Sequence, residues 1–277
     1  MTRVADQATN EYALGHAAQE LARLDHQAEI LAQPTRAILT MAGLTPGMRV
    51  LDLGTGTGEV ALLAAELVGP AGDVLGVDQS GAALDYAERK CAARGVHNVR
   101  FGATDLSAGL PAGPFDAVIG RLVLPYLPDP VDTVRAALSR LRAGGLYVAM
   151  EYDMNAVRSQ PTVPLVQRMS TLISATFDAV GQSQTLGPHL AAVFRAAGAQ
   201  SPAVVGIQAY LDDEDPRGPA MITGVIRSLL PAIERHGLGV ASEIDVDTLE
   251  ARLAAETAIH QAVICPPTLV GAWSRRN

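Results

Sequence analysis

Among its 277 residues the chain holds a single lysine, Lys90, two cysteines, one tryptophan and only 4% aromatic side chains. Each scarcity excludes something. With 29 acidic against 21 basic residues the formal net charge is −8. No basic run is interleaved with aromatics, so a polyanion is repelled at long range and nucleic acid is not an expected partner. Cys91 and Cys265 lack metal-ligand spacing and offer no disulfide framework, which reads as plain core or surface thiols in a reducing compartment. Residues 1–10 contain no apolar signal core, and no window approaches the roughly 18 consecutive apolar residues of a spanning helix. The expectation is a soluble cytoplasmic protein with no membrane partner; homo-oligomerisation stays open. What is abundant is apolar material, 48% of the chain, enough for one α/β unit with insertions.

The most informative stretch is Val50-Leu-Asp-Leu-Gly-Thr-Gly-Thr-Gly58, followed by Val74-Leu-Gly-Val-Asp78. An apolar strand enters a glycine-rich turn that opens a helix, and a second strand ends on a carboxylate, the pattern of a nucleoside-binding βαβ unit. The third glycine of a dinucleotide fingerprint falls on Glu59, an anion where pyrophosphate would sit. A ligand with a ribose and no phosphate fits better: its hydroxyls donate to Asp78 while Gly54 and Gly56 admit close backbone approach. Three further landmarks follow in order: Val99-Arg-Phe-Gly-Ala-Thr-Asp105, Phe115-Asp-Ala-Val-Ile-Gly-Arg-Leu-Val-Leu-Pro-Tyr-Leu-Pro-Asp129, and Leu141-Arg-Ala-Gly-Gly-Leu-Tyr-Val-Ala-Met150. Together the set resembles the class I S-adenosylmethionine-dependent methyltransferases, in their ubiquinone/menaquinone-biosynthesis-like, small-molecule branch.

That resemblance implies S-adenosyl-L-methionine as cofactor and S-adenosyl-L-homocysteine as product. It places Asp52, Gly54, Gly56 and Gly58 in the first loop, Asp78 and Gln79 at the sugar, and Thr104 and Asp105 at the adenine. Arg121 falls beside the methionine carboxylate, with Glu151 as an alternative partner, and Tyr12 in an N-terminal segment that closes over the cofactor. Simpler roles exist for two of these: Asp105 as a helix N-cap and Asp52 as a buried acceptor for turn amides.

The expected fold is α/β: a Rossmann-like, mostly parallel seven-stranded sheet with helices on both faces, an N-terminal helical cap and inserted lid helices. Residues 1–41 form the cap, with Leu21, Leu24, Ala28 and Leu31 at helical spacing. Residues 42–153 form the cofactor-binding core, with strands at 49–53, 73–78, 99–104, 115–120 and 146–152. Residues 154–277 complete the sheet with strands at 203–211 and 269–274. Lid insertions are expected near 161–181, where Leu165, Met169, Ile173 and Phe177 share one face, and near 216–257, where Gly237 and Gly239 stop a helix carrying Met221, Ile222, Val225 and Ile226. These apolar helices either roof an acceptor pocket or serve as scaffold. As a roof they favour a small, neutral, hydrophobic acceptor.

A methyl on positive sulfur needs alignment more than acid–base help. A hydroxyl or enolisable carbon acceptor would use a base, for which Glu151, Tyr152 and His236 lead, with His16, His189, His260 and Tyr12 behind them. Glu151 also pairs with Asp153 and Asn155 as a set of oxygen ligands, but Arg121 beside them would compete with a divalent cation, and no metal is expected. The functional expectation is O- or C-methylation of a specialised metabolite. The alternatives are a cyclase, or a methylation-coupled cyclase, acting on an apolar polyene or isoprenoid with the same fold and cofactor pocket, and a non-catalytic adenosyl-binding regulator.

Overall fold

The structure, a computed structural model, describes residues 18–182 and 185–277, with side chains described from residue 29 onward. Five parallel strands, β1 (Arg49–Leu53), β2 (Asp73–Asp78), β3 (Val99–Ala103), β4 (Phe115–Arg121) and β5 (Leu141–Asp153), alternate with helices α2 (Glu59–Val68), α3 (Gly81–Ala93) and α4 (Pro130–Ser139), following the long α1 (Ala18–Ala42). The chain then forms β6 (Arg158–Gln160), α5 (Pro164–Ala179), α6 (Leu190–Ala196) and β7 (Ala203–Ile207). It continues through α7 (Arg217–Arg235), α8 (Ala241–Ile244), α9 (Val246–His260), β8 (Val263–Cys265) and β9 (Thr268–Arg275). The main sheet has the order β3-β2-β1-β4-β5-β9-β7. Only β9 runs antiparallel to its neighbours.

Strand alternation decides which side chains meet. Val50, Ala117, Ile119, Val148 and Met150 pack with Ile38 and Leu39 of α1 and Val60 and Ala64 of α2. Leu51, Leu53, Val118, Tyr147 and Ala149 pack on the other face with Val134 of α4 and Leu190 and Phe194 of α6. A third cluster, Met169, Ile173 and Phe177 of α5 with Ile222, Ile226 and Leu229 of α7 and Leu249 and Leu253 of α9, forms a separate helical core. Both thiols, Cys91 and Cys265, are buried and free. No described helix is long and apolar enough to cross a membrane.

Local chemistry sets the ends of the elements. Asp129 caps α4 by accepting from the amides of Val131 (2.7 Å) and Asp132 (3.1 Å), with Pro130 next to it, a cap worth about 1 kcal/mol. The strand expected over 203–211 ends at Ile207. Its partner β9 is preceded by Pro266 and Pro267, which have no N–H to extend the ladder. Gln208 instead donates to the carbonyls of Ala156 and Pro266, and Leu211 forms an isolated bridge with Ile264. The short β6–β8 ribbon lies in segments for which the sequence reading names no strand, whereas α9 falls largely within the helical insertion expected near 216–257.

Candidate functional site

Parallel strands place the carboxyl ends of β1 to β5 on one edge, where the chain turns back in loops. Gly54, Gly56 and Gly58 all have positive φ, of 62°, 51° and 81°, yet they serve different ends. A Cβ on Gly54 would stand 2.6 Å from Val123 Cγ2, and one on Gly58 would stand 2.9 Å from Ala87 Cβ, so both glycines allow packing. No described residue comes within 4 Å of the Cβ position of Gly56, which makes it the loop position where another molecule can approach the backbone.

Asp78 ends β2 and stitches this loop in place. Its Oδ2 accepts from Gly56 N and its Oδ1 from Ser80 N, both at 2.9 Å, leaving each carboxylate oxygen a lone pair for a further donor. Gln79, next along, is exposed. Thr104 N donates to Asp78 O at 2.9 Å, continuing the β2–β3 ladder by one rung. That brings Asp105 to the same edge, where Oδ1 accepts from Ser107 Oγ (2.6 Å) and Ser107 N (2.9 Å). These hydrogen bonds hold its carboxyl below the usual carboxylate range. Asp105 heads a turn there and caps no helix.

Asp52, Arg121 and Tyr152 share the α1 face of the sheet by strand alternation. Asp52 is buried; Thr55 Oγ1 donates to its Oδ2 at 2.7 Å, while Oδ1 has no hydrogen-bond partner among the described residues. Burial pushes its carboxyl up to about 7, opposed by Thr55 and by the nearby Arg121 charge. Arg121 donates to Thr35 Oγ1 of α1 at 2.9 Å and makes no ion pair among the described residues. Burial lowers its pKa, partly offset by Tyr152 and Asp52. A desolvated guanidinium with one neutral partner is a site that favours an arriving anion. Behind it, Ile30, Leu31 and Pro34 of α1 line an apolar recess together with Tyr152, Ile207 and Met221. Pro34 has no N–H, so the Ile30 carbonyl in that same wall loses its usual helical donor.

Two sequence expectations meet a different geometry. Glu59 carries no free charge toward a phosphate site, because Lys90 Nζ pairs with its Oε1 at 2.6 Å and Arg94 lies 3.8 Å away. Glu151 makes no ion pair with Arg121, because the pleat points their side chains to opposite faces. Its carboxyl, 0% exposed, turns inward, where Oε1 accepts from Val123 N (3.1 Å) and Leu124 N (3.0 Å). Burial pushes Glu151 up to about 8 against the effect of those two amides. Tyr147, two turns of the pleat back along β5, has a buried hydroxyl without a partner, driven upward by burial and then by Glu151. His236 sits exposed at the end of α7, His260 exposed at the end of α9, and His189 Nδ1 lies 3.1 Å from Thr185 O on the surface. Tyr12 and His16 lie outside the described residues. Thr35 and Val123 escape sequence reasoning because neither stands in a local pattern; only the left-handed Leu122 (φ 55°) beside Val123 marks the turn after β4 as unusual.

Residues 44–197 match the profile of a family described as a methyltransferase domain. The aklanonic acid methyltransferase DauC of Streptomyces sp. (strain C5) is 33% identical over 111 residues, covering 40% of this chain and 50% of that one. The ubiquinone/menaquinone biosynthesis C-methyltransferase UbiE of Pseudomonas fluorescens is 30% identical over 144 residues, covering 51% and 54%. The chain spans about half the length of the curated relatives it matches. Among solved structures, a SAM-dependent methyltransferase from Aquifex aeolicus shares the fold with TM-score 0.55 at 13% identity, covering 95% of this chain and 100% of that one.

Proposed function

This chain belongs to the methyltransferase-domain family of class I S-adenosylmethionine-dependent enzymes, and from that premise we propose that it methylates a small apolar acceptor, releasing S-adenosylhomocysteine. The observation that carries the reading is Gly56, left-handed, tied to Asp78, and clear of every described residue where a side chain would stand. A ribose laid against that backbone donates its two hydroxyls to the remaining lone pairs of Asp78. Asp105 takes the adenine amino group, with Thr104 and Gln79 flanking. Arg121 takes the methionine carboxylate, and Oδ1 of Asp52, without a hydrogen-bond partner among the described residues, accepts a hydrogen bond from the methionine ammonium.

When bound, the cofactor supplies a methyl group already activated by its positive sulfur. The residues of the chain have to align the acceptor, and orientation of this kind is worth roughly 7–11 kcal/mol. The small apolar recess of Ile30, Leu31, Pro34, Tyr152, Ile207 and Met221, on the same face as Arg121, marks where we place the acceptor, with α7 reaching it through Met221. Among the described base candidates Tyr152 alone lines that recess, and its hydroxyl is the group we assign to orient an acceptor hydroxyl. Glu151 faces the opposite side. The relatives DauC, an aklanonic acid methyltransferase, and UbiE, a ubiquinone/menaquinone biosynthesis C-methyltransferase, support a small acceptor of the specialised-metabolite type, methylated at oxygen or carbon.

The test is calorimetric titration with S-adenosylhomocysteine, followed by a screen of hydroxyaryl and enol acceptors for its release from S-adenosylmethionine. Micromolar binding and acceptor-dependent release are expected. Absence of binding ends the cofactor reading. Binding with conversion of a polyene and no release would move the chain to the cyclase alternative.

A further inference from the structure

A buried acid on the face away from the proposed acceptor seat needs a reason to be there. Glu151 holds the amides of Val123 and Leu124 with one oxygen, directly after Leu122, which adopts φ 55° and donates its own N–H to Met150 O at 2.8 Å. A branched residue after a left-handed leucine is an unfavourable turn that persists only when its surroundings fix it. The turn so fixed presents Val123. Its Cγ2 lies 2.6 Å from where a Cβ of Gly54 would be, and its Cγ1 lies 3.0 Å from the corresponding position at Gly120. The contacts therefore run without a gap from the Glu151 carboxyl, through the Val123 backbone and side chain, to the first residue of the glycine-rich loop. Two positions further on, Gly56 meets Asp78.

We propose that Glu151 is a positioning residue for the cofactor loop: it locks the turn after β4 so that Val123 buttresses Gly54 and sets the height of Gly56 against Asp78. This rests on the cofactor reading given above. Glu151 acts through two acceptor lone pairs and not through charge, so an amide can replace it. Its second oxygen, buried without a partner, takes no part in the hold.

Three variants test this in the full chain, each titrated with S-adenosylhomocysteine and assayed for circular dichroism and thermal midpoint. Glu151→Ala removes the acceptor from two buried amides and is expected to weaken binding about tenfold or more, with kcat less affected than KM for the cofactor. Glu151→Gln keeps the acceptor and is expected to restore binding to within about threefold of the wild type. Val123→Ala leaves the carboxyl in place and removes the buttress, and is expected to weaken binding by roughly three- to tenfold; it decides the matter if Glu151→Ala does not fold. Wild-type affinity in Val123→Ala, or in a folded Glu151→Ala, overturns the proposal, as does a Glu151→Gln protein as impaired as Glu151→Ala, which would assign the carboxyl a chemical role. Failure of the wild type itself to bind would instead remove the cofactor reading beneath it.

Discussion

Gly54 and Gly56 stand two positions apart in one loop with nearly the same backbone conformation, but substitution should separate them. Gly56→Ala carries the left-handed penalty of roughly 1–2 kcal/mol and meets no atom of the described residues, so the fold should persist while S-adenosylhomocysteine affinity drops. Gly54→Ala should cost more in thermal stability, because its new methyl meets Val123 at 2.6 Å. Melting curves beside titrations distinguish the two, and equal effects on both readouts would remove the distinction. Asp78→Ala removes an acceptor for charge-assisted bonds worth roughly 1.5–3 kcal/mol each, and the expected loss of affinity is about 100-fold or greater; calorimetry showing wild-type binding would dismiss the ribose assignment. These residues were legible because glycine, and an acid closing a strand, carry meaning at fixed spacing. The assignment of Glu151 was not legible, since a residue at position 151 and one at position 152 read alike in one dimension. The pleat sends Tyr152 toward α1 and Glu151 toward α4 and α6, and only the register of β5 with β4 and β9 settles which is which.

Elements extend as far as their partners allow, and this governed what a pattern could reveal. The apolar run over 203–211 reads as one strand, but Pro266 and Pro267 end the ladder at Ile207. A proline pair sixty residues away leaves no trace in the strand's own sequence. By contrast α5 and α7 were plain from their periodic apolar faces, because each buries one stripe against its neighbour. The short β6–β8 pairing is non-local and three residues deep, too short to show alternation. At this scale the acceptor seat can be probed from α7: Met221→Trp should fill the recess, raising acceptor KM or abolishing turnover while leaving S-adenosylhomocysteine binding within about twofold, because Met221 lines the recess and is not among the residues assigned to the cofactor. Loss of cofactor binding in this variant would place the recess within the cofactor site instead.

For the molecule as a whole, two buried acids set the response to pH. Asp52 and Glu151 are raised to about 7 and about 8, so the folded state holds their protons where the unfolded chain has released them. Their contribution to stability is complete below pH about 4 and is lost as pH rises through 7 and 8. Asp105 and Asp116 are held below the usual range, so their opposite contribution is already complete above pH about 5. The ligand-free thermal midpoint should therefore fall between pH 5.5 and 8.5, with Glu151→Gln flattening the upper part of the curve; a midpoint that rises over this range would show that these carboxyls are ionised when folded. The three apolar clusters bear on the molecule's history as well. Helices α5, α7 and α9 fill a core of their own, apart from the two that flank the sheet, and α7 also lends Met221 to the recess. Drift in that third core can reshape what enters the chamber while the glycine loop and its acidic anchors keep their geometry, so one ancestral scaffold can change its diet by mutation without first losing its donor.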